Sequence, residues 1–373
     1  TMGGGSAGKV VVVGGGYAGA TCAKYLRMWS NGSVDVTLIE PRGTFVSCPI
    51  SNLVIGGSKT IADVTVPYDN LSRRWGVNVV RDTATGIDVD KRVVTTAGGR
   101  NLPYDRLVLA PGIEFMWDAI ASYKADPVRA TGIVPHAWQA GEQTVLLRRQ
   151  LESMPDGGVY ALSIPVAPYR CPPGPYERAC QVAWYFKRAK PKSKVLVLDG
   201  NPDVTSKAGL FKKAWNDLYK GIVEYRPNHV LTDVDLATKT AKFETADDVR
   251  ASVLNVIPPH RAGGIARTAG VITANNRWCE VDFLSYESIR GKGVHVLGDS
   301  IQIAPGMPKS GHMANNQAKV AAAAILRQLG GQPPIATPML TNTCYSFITD
   351  KDVVHVASVH QYDVARKTML AVP

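Results

Sequence analysis

Cysteine is scarce in this sequence, with six in 373 residues, too few for the disulfide scaffold of a small secreted domain. No two of them stand as C-x-x-C, which argues against a zinc ribbon and a thioredoxin-type site, so no metal is expected. C-x-x-C-H is missing too, and this chain therefore attaches no c-type haem of its own. No apolar run approaches the ~18 residues that a membrane-spanning helix needs; the longest helical apolar stretch, 320–326, is a turn or two. Repeats and low-complexity linkers are lacking as well. A content of 45% hydrophobic and 20% charged residues excludes disorder, collagen and coiled coil. Lys and Arg outnumber Asp and Glu by 42 to 31, a net charge of +11. The basic residues are scattered, without a basic run, zinc-finger or RNP-like motif, so no nucleic-acid partner is expected. Residues 1–8 carry no apolar h-region. They read as an expression scar or as the mature start left after signal removal, not as part of the fold.

What is present is a chain long enough for two or three domains. Residues 9–13 (K-V-V-V-V) read as a buried parallel strand. Gly14-Gly15-Gly16-Tyr17-Ala18-Gly19 follows at once, then a helix over 20–28 and a second strand over 34–39 that ends at Glu40. This is a βαβ unit of the roughly 30 residues expected for a dinucleotide fold. Gly14 makes the tight turn, Gly16 lets the backbone approach a pyrophosphate, and Gly19 lets helix and strand pack closely. The helix N-terminus offers free N–H groups to phosphate, and Glu40, with Pro41 and Arg42 beside it, is placed for ribose hydroxyls. Further strands are expected over 77–81, 92–96 and 106–110. A second α/β block begins near 158, with strands over 159–164, 194–199 and 253–257 and a helix over 176–188. A strand over 295–297, a helix over 313–329 and two late strands over 343–348 and 353–359 complete the pattern. The expected fold class is α/β, with two Rossmann-like three-layer domains and a small α+β C-terminal domain. The expected divisions are a split dinucleotide-binding domain (9–125 and 260–330), a second dinucleotide-fold-like domain (126–259) and a C-terminal domain (331–373).

Three features favour FAD over NAD: the fingerprint at the extreme N-terminus, Ala110-Pro111-Gly112 after a later strand, and Gly298-Asp299 near the far end. Here the sequence resembles the two-dinucleotide-fold flavoproteins, in which the residue matching Asp299 holds the ribityl chain of the flavin; a helix cap or turn is its plainer role. Tyr17, Ala18 and Ala84 join the expected cofactor contacts. The second block lacks the matching cradle. Residues 164–176 hold one glycine and five prolines, and proline offers no N–H to a phosphate, so the reduced substrate is expected to be something other than a nicotinamide.

Cys48, in T-F-V-S-C-P-I-S-N, is open to three readings: buried packing, a thioether to flavin, or a redox thiol. Cys171 and Cys344 have polar, turn-like flanks. Cys22 and Cys180 sit in helical stretches and read as core, and Cys279 is undecided. C-P-P-G-P-Y-E-R at 171–178, N-T-C-Y-S at 342–346 and the Cys48 loop with V-I-G-G at 54–57 closely resemble the flavoprotein subunit of flavocytochrome c sulfide dehydrogenase. The resemblance extends over nearly the whole chain from Lys9. It implies FAD held covalently through Cys48, a redox-active disulfide between Cys171 and Cys344, and Glu177 in the same site. It also implies a periplasmic location and a c-type cytochrome subunit as partner, which carries the haem. An ordinary disulfide tying two domains is the plain alternative for Cys171 and Cys344.

On this reading hydrosulfide attacks the disulfide at Cys171, leaving a persulfide there and releasing Cys344 as a thiolate that reduces the flavin. Glu177 either manages the proton of H₂S or is a carboxylate at a helix N-terminus. Lys309 either stabilises negative charge on reduced flavin or is a solvated lysine. A sulfide:quinone oxidoreductase shares the fold and a similar dithiol, but reaches membrane quinone through an apolar or amphipathic C-terminal region that 369–373 does not form. Because the family usually runs further, a truncated C-terminus weakens that distinction. A type-II NADH dehydrogenase is disfavoured by the missing second cradle. A flavin-bearing electron-transfer subunit without dithiol chemistry is the non-enzymatic alternative.

Overall fold

The computed structural model describes residues 6–373. Its larger sheet has seven strands in the order Val281–Asp282, Glu287–Ser288, Val294–Val296, Arg106–Leu109, Lys9–Val13, Asp35–Ile39, Asn78–Val80. The last five are parallel. Strands of a covered parallel sheet bury both faces, and accordingly Val10, Val11, Val12 and Val13 are all buried. The helices Tyr17–Trp29 and Gly311–Leu329 pack against each other beside it.

A second sheet, in the order Val223–Arg226, Lys194–Asp199, Val159–Ile164, Val253–Val256, is entirely parallel. The helix Gly174–Ala189 makes the crossover between its strands Val159–Ile164 and Lys194–Asp199. An antiparallel pair, Ile113–Phe115 with His260–Ala262, lies where the chain leaves the first sheet and where it returns. The last residues form an antiparallel sheet of Met339–Phe347, Val353–Asp363 and Thr368–Ala371. That sheet leans on the helices Gly311–Leu329 and Gly174–Ala189. The α/β class with two parallel-sheet units is the one the sequence predicts; the C-terminal residues, expected to be α+β, form an antiparallel sheet whose helical packing comes from the two units. Among the described residues, no helix is long and apolar enough to cross a membrane.

Boundaries differ from expectation for identifiable reasons. The first helix begins at Tyr17, directly after Gly16, so its free N–H groups face the glycine turn. The helix Gly174–Ala189 starts two residues before Tyr176, because Pro175 sits in the first turn, where a missing N–H costs nothing. The strand Met339–Phe347 begins four residues earlier than expected; M-L-T-N-T alternates exposed and buried positions, and its pairing along Val353–Asp363 carries the strand back to Met339. Cys22 and Cys180 are buried in helices, and Cys279, beside buried Trp278, is fully buried core as well.

Candidate active site

The carboxyl ends of the first sheet, the start of the helix Gly174–Ala189 and the strand Met339–Phe347 enclose a cavity of about 760 Å³. At one end lies the glycine turn. Gly14 has φ of +100°, and a Cβ there would lie 2.2 Å from the Ala110 carbonyl oxygen. A Cβ on Gly19 would lie 1.7 Å from the Gly14 oxygen, whereas one on Gly16 would meet nothing within 4 Å. The first and third glycines thus close the strand–helix junction, and the second opens onto the cavity. Glu40 is buried at the end of Asp35–Ile39. Its carboxylate accepts from Gly15 N at 3.1 Å and from Arg42 N at 3.0 Å.

Further along the wall stand Tyr17, Ala18, Pro41, Ala110, Pro111 and Gly112, then Gly298 and Asp299. Lys309 is buried. Its ammonium donates to the carbonyls of Asp299 and Ile301, both at 2.8 Å, and lies 3.7 Å from the centre of the Trp278 ring. The solvated-lysine reading is thereby overturned. Burial brings its pKa down to about 7, with Asp299 opposing the shift and Arg277 adding to it.

Two expected cofactor contacts lie off the wall. Gly19 acts from behind it through helix packing. Ala84 is placed elsewhere: it begins the strand Ala84–Asp88, pairs with Thr96 in a separate antiparallel sheet, and does not reach the cavity.

The other end of the cavity carries Cys48, Cys171, Cys344 and Glu177. All six cysteines are free thiols, so Cys171 and Cys344 share the cavity wall without a bond between them. Cys171 takes a left-handed conformation (φ 58°), unusual for a residue with a Cβ. This turn is held by two backbone hydrogen bonds: Cys171 N donates to Lys309 O at 2.7 Å, and Gly174 N donates to Cys171 O at 2.9 Å. Burial pushes its thiol well above the usual range, and the neighbouring Cys48, Glu177 and Cys344 push the same way. The Cys48 sulfur lies 3.5 Å from the Trp138 carbonyl oxygen and 3.9 Å from an Arg170 guanidinium nitrogen.

Glu177 is buried in the first turn of Gly174–Ala189, yet its partners belong to other elements. One oxygen accepts from Asn52 Nδ2 at 2.8 Å and the other from Phe347 N at 2.7 Å. Burial raises its pKa, against the lowering effect of both hydrogen bonds and of Lys207 and Arg178. The simple helix-terminus role is therefore insufficient to describe it.

Sequence reasoning misses the residues that hold this end together. Asn52 donates to Glu177 and accepts from Arg178 Nε at 2.9 Å. Arg178 is fully buried and also donates to the carbonyls of His136 and Ala137 and to Asn255 Oδ1. Lys207 and Asn342 flank Cys344. The one available signal is compositional: Asn52 is a polar residue directly before the apolar Leu53, Val54 and Ile55 of the buried helix Ser51–Gly56.

The second block is closed to a dinucleotide at its acidic position. Asp199, at the end of Lys194–Asp199, is fully buried and accepts from Tyr176 OH at 2.6 Å and Tyr225 OH at 2.8 Å. Asn201 N (3.0 Å) and Nδ2 (2.8 Å) also donate to it. An acid so fully engaged has no acceptor capacity left for a ribose. The first unit, by contrast, fits FAD: a glycine open to the ligand, a preset acid, and a second acid, Asp299, facing a cavity of suitable size.

The comparisons with known proteins agree. Residues 144–258 match the family "Sulfide dehydrogenase (flavocytochrome c) flavoprotein chain, central", and 336–373 match "Flavocytochrome c sulphide dehydrogenase, flavin-binding". Residues 8–121 match the pyridine nucleotide-disulphide oxidoreductases. The sulfide dehydrogenase (flavocytochrome c) flavoprotein chain of Chlorobaculum thiosulfatiphilum is 59% identical over 46 residues, 12% of this chain and 94% of that sequence. The mitochondrial sulfide:quinone oxidoreductase of Dictyostelium discoideum is 24% identical over 301 residues, 78% of this chain; the chain spans 65% of the length of that relative. The solved sulfide:quinone oxidoreductase of Aquifex aeolicus superposes with a TM-score of 0.77 at 20% identity, covering 98% of this chain and 86% of that one, which establishes the shared fold. On these matches the chain belongs to the family of the flavoprotein chain of flavocytochrome c sulfide dehydrogenase, within the pyridine nucleotide-disulphide oxidoreductases.

Proposed function

We propose that this chain oxidises hydrosulfide to sulfane sulfur through a Cys171–Cys344 disulfide and a bound FAD, and passes the electrons to a c-type cytochrome partner in the periplasm. The observation that carries the reading is the convergence of Cys171, Cys344 and Glu177 on the same cavity as the glycine turn, while Asp199 of the second block is spent on tyrosines.

Gly14, Gly16, Glu40, Gly112 and Asp299 would hold the dinucleotide, and Cys48, on the same cavity wall, would bind it covalently. Bound FAD would supply a two-electron acceptor for the dithiol, able to return electrons one at a time. The protein's own residues do the rest. Hydrosulfide attacks the disulfide; a new S–S bond forms to one cysteine sulfur, the old one breaks, and the other cysteine leaves as a thiolate. Glu177, buried and with a raised pKa, takes the proton when H₂S rather than HS⁻ enters.

The test is anaerobic addition of sulfide to the flavin-loaded protein. Bleaching of the flavin absorbance, followed by reduction of added cytochrome c, supports the proposal; an unbleached flavin overturns it. The likeness to sulfide:quinone oxidoreductases over most of this chain favours quinone as the alternative acceptor. Reoxidation by a soluble quinone in place of cytochrome c would establish that reading. Bleaching by low concentrations of NADH would instead revive a nicotinamide donor.

A further inference from the structure

The two sulfurs of the proposed redox pair are not equivalent. The environment of Cys171 disfavours a thiolate: it is partly buried, in a left-handed turn, with Cys48 and Glu177 as its neighbours. The surroundings of Cys344 differ in kind. Asn342 lies two residues earlier in the strand Met339–Phe347 and is buried. Its Nδ2 is 3.5 Å from the Cys344 sulfur and its Oδ1 is 3.8 Å away. The amide orientation follows from Ser310. That buried hydroxyl caps the helix Gly311–Leu329 by accepting from Met313 N at 3.1 Å, and its own proton has Asn342 Oδ1 as acceptor at 2.7 Å. A flipped amide would leave the Ser310 proton without a partner in a buried site. Both amide atoms thus lie within hydrogen-bond reach of the sulfur, with Nδ2 the nearer, so the amide N–H can donate to a thiolate there.

On the second flank, Lys207 reaches across from the turn preceding the helix Ala208–Leu218. It donates to Cys344 O at 2.7 Å and to Ser346 Oγ at 2.9 Å. Its ammonium therefore sits on the segment that carries the sulfur, half-buried, where charge is poorly screened. The other ionisable groups near this segment are Glu177 and Cys171 from the second block, His312 from the helix Gly311–Leu329, and His355 from the paired strand Val353–Asp363. His312 is engaged through Nδ1 with the Thr343 backbone, and Lys207 is the lysine of the group; burial lowers its pKa, and Cys344, Glu177 and Cys171 oppose the shift.

We propose that Asn342, oriented by Ser310, and Lys207 form a thiolate-holding site that makes Cys344 the leaving sulfur of the disulfide, so that hydrosulfide adds to Cys171. Asn342 contacts the reacting atom; Lys207 and Ser310 act as positioning residues. In the step, HS⁻ forms a bond to Cys171 Sγ as the Cys171–Cys344 bond breaks. The products are a persulfide on Cys171 and a thiolate on Cys344, with no change in total charge and no further oxidant. A thiolate better stabilised as it departs is the faster leaving group in thiol–disulfide exchange.

This inference rests on the redox-pair reading, and the experiment separates the two. The full chain is oxidised, treated with sulfide, quenched with an alkylating agent and mapped by mass spectrometry. Failure to find a 171–344 cross-linked peptide after oxidation sinks the redox-pair reading itself. With the cross-link present, a persulfide mapped to Cys171 supports the inference, and one mapped to Cys344 overturns it. The second arm follows site-resolved alkylation of the reduced protein against pH in wild type, Asn342→Ala, Asn342→Asp and Lys207→Met. At neutral pH, Cys344 alkylates faster than Cys171, and each variant slows Cys344 by about ten-fold with its pH midpoint moved upward. Asn342→Asp, which places a negative charge at the sulfur, slows it most. Unchanged midpoints in all three variants, with circular dichroism and thermal melting as in wild type, overturn the inference.

Discussion

Glu177 accepts a hydrogen bond from the backbone N–H of Phe347 at 2.7 Å, across 170 residues of chain. The contact ties the first turn of the helix that follows Cys171 to the strand that carries Cys344. The carboxylate therefore positions the two sulfurs whether or not it also moves a proton. Glu177→Gln must present an amide N–H to Asn52 or to Phe347, both donors, and loses one hydrogen bond; about 1–3 kcal/mol of stability should go with it. The pH dependence separates the two roles. Because burial raises the folded pKa above the ordinary 4.5, the folded state binds more protons than the unfolded state above that pH. The contribution of this group is fully present below pH 4.5 and is lost as pH rises through the folded pKa. Chemical unfolding across pH 4–8 should show that fall in wild type and a flatter profile in the variant. Glu177→Gln should also remove the acid limb of the sulfide-driven flavin reduction; a limb that persists assigns it to another group.

The three glycines of the turn should fail in different ways. Gly14→Ala and Gly19→Ala place a Cβ 2.2 Å and 1.7 Å from backbone oxygens, a clash that only backbone movement relieves, so both should yield little folded protein. Gly16→Ala meets no protein atom. It should fold with an apoprotein melting temperature within a few degrees of wild type and yet retain little flavin, because the added methyl occupies the approach to the pyrophosphate. Absorbance at the flavin band relative to protein, together with circular dichroism, distinguishes the two outcomes.

What was legible in the sequence was local. K-V-V-V-V with the glycine turn, the acid at the end of the next strand, and the proline-rich loop at 164–176 each state their geometry within a few residues. The cysteines became legible through motif resemblance, which also named Glu177. The parts that were not legible depend on contacts across the fold. Asn52 acquires its role from Glu177, 125 residues later, and from Arg178; nothing near position 52 announces a buried guanidinium. Lys207 meets Cys344 across 137 residues. Ala84 failed for the converse reason: an ordinary strand residue with no chemistry of its own belongs wherever its pairing places it, and that is the separate sheet with Thr96.

Cys48 lies on the cavity wall with Arg170 and Trp138 next to its sulfur. If the flavin is bonded there, acid precipitation of the holoprotein leaves the yellow colour in the pellet, and Cys48→Ser releases it to the supernatant. Flavin released equally from both proteins overturns the covalent link. The variant keeps the rest of the cavity, so it should still bind flavin reversibly.

Asp199 predicts a structural rather than a catalytic phenotype. It is fully buried and accepts from two tyrosines and from Asn201. Asp199→Asn replaces one acceptor oxygen by a donor in a ring of donors, and should cost about 2 kcal/mol or more in urea unfolding. Nicotinamide affinity should be negligible before and after the change. Tight NADH binding to the wild type would show that the second block still admits a dinucleotide.

Lys309 gives the pH signature of the flavin end. Its pKa lies near 7 in the folded protein, against 10.5 for an ordinary lysine, chiefly because burial disfavours the ammonium. Between these two values the unfolded chain holds a proton that the folded chain has released. Unfolding therefore takes up protons in this window, and stability rises with pH from about 7 to 10.5. Lys309→Met removes that rise, so the difference in unfolding free energy between wild type and variant should slope across pH 7–10 and be flat below it. Below pH 7 the charged ammonium remains in place, held by the carbonyls of Asp299 and Ile301 and by the Trp278 ring. It is then a fixed positive charge at the cofactor end of the cavity. The affinity of the wild type for flavin should consequently weaken as pH rises through 7, while that of the variant, already lower, should not change.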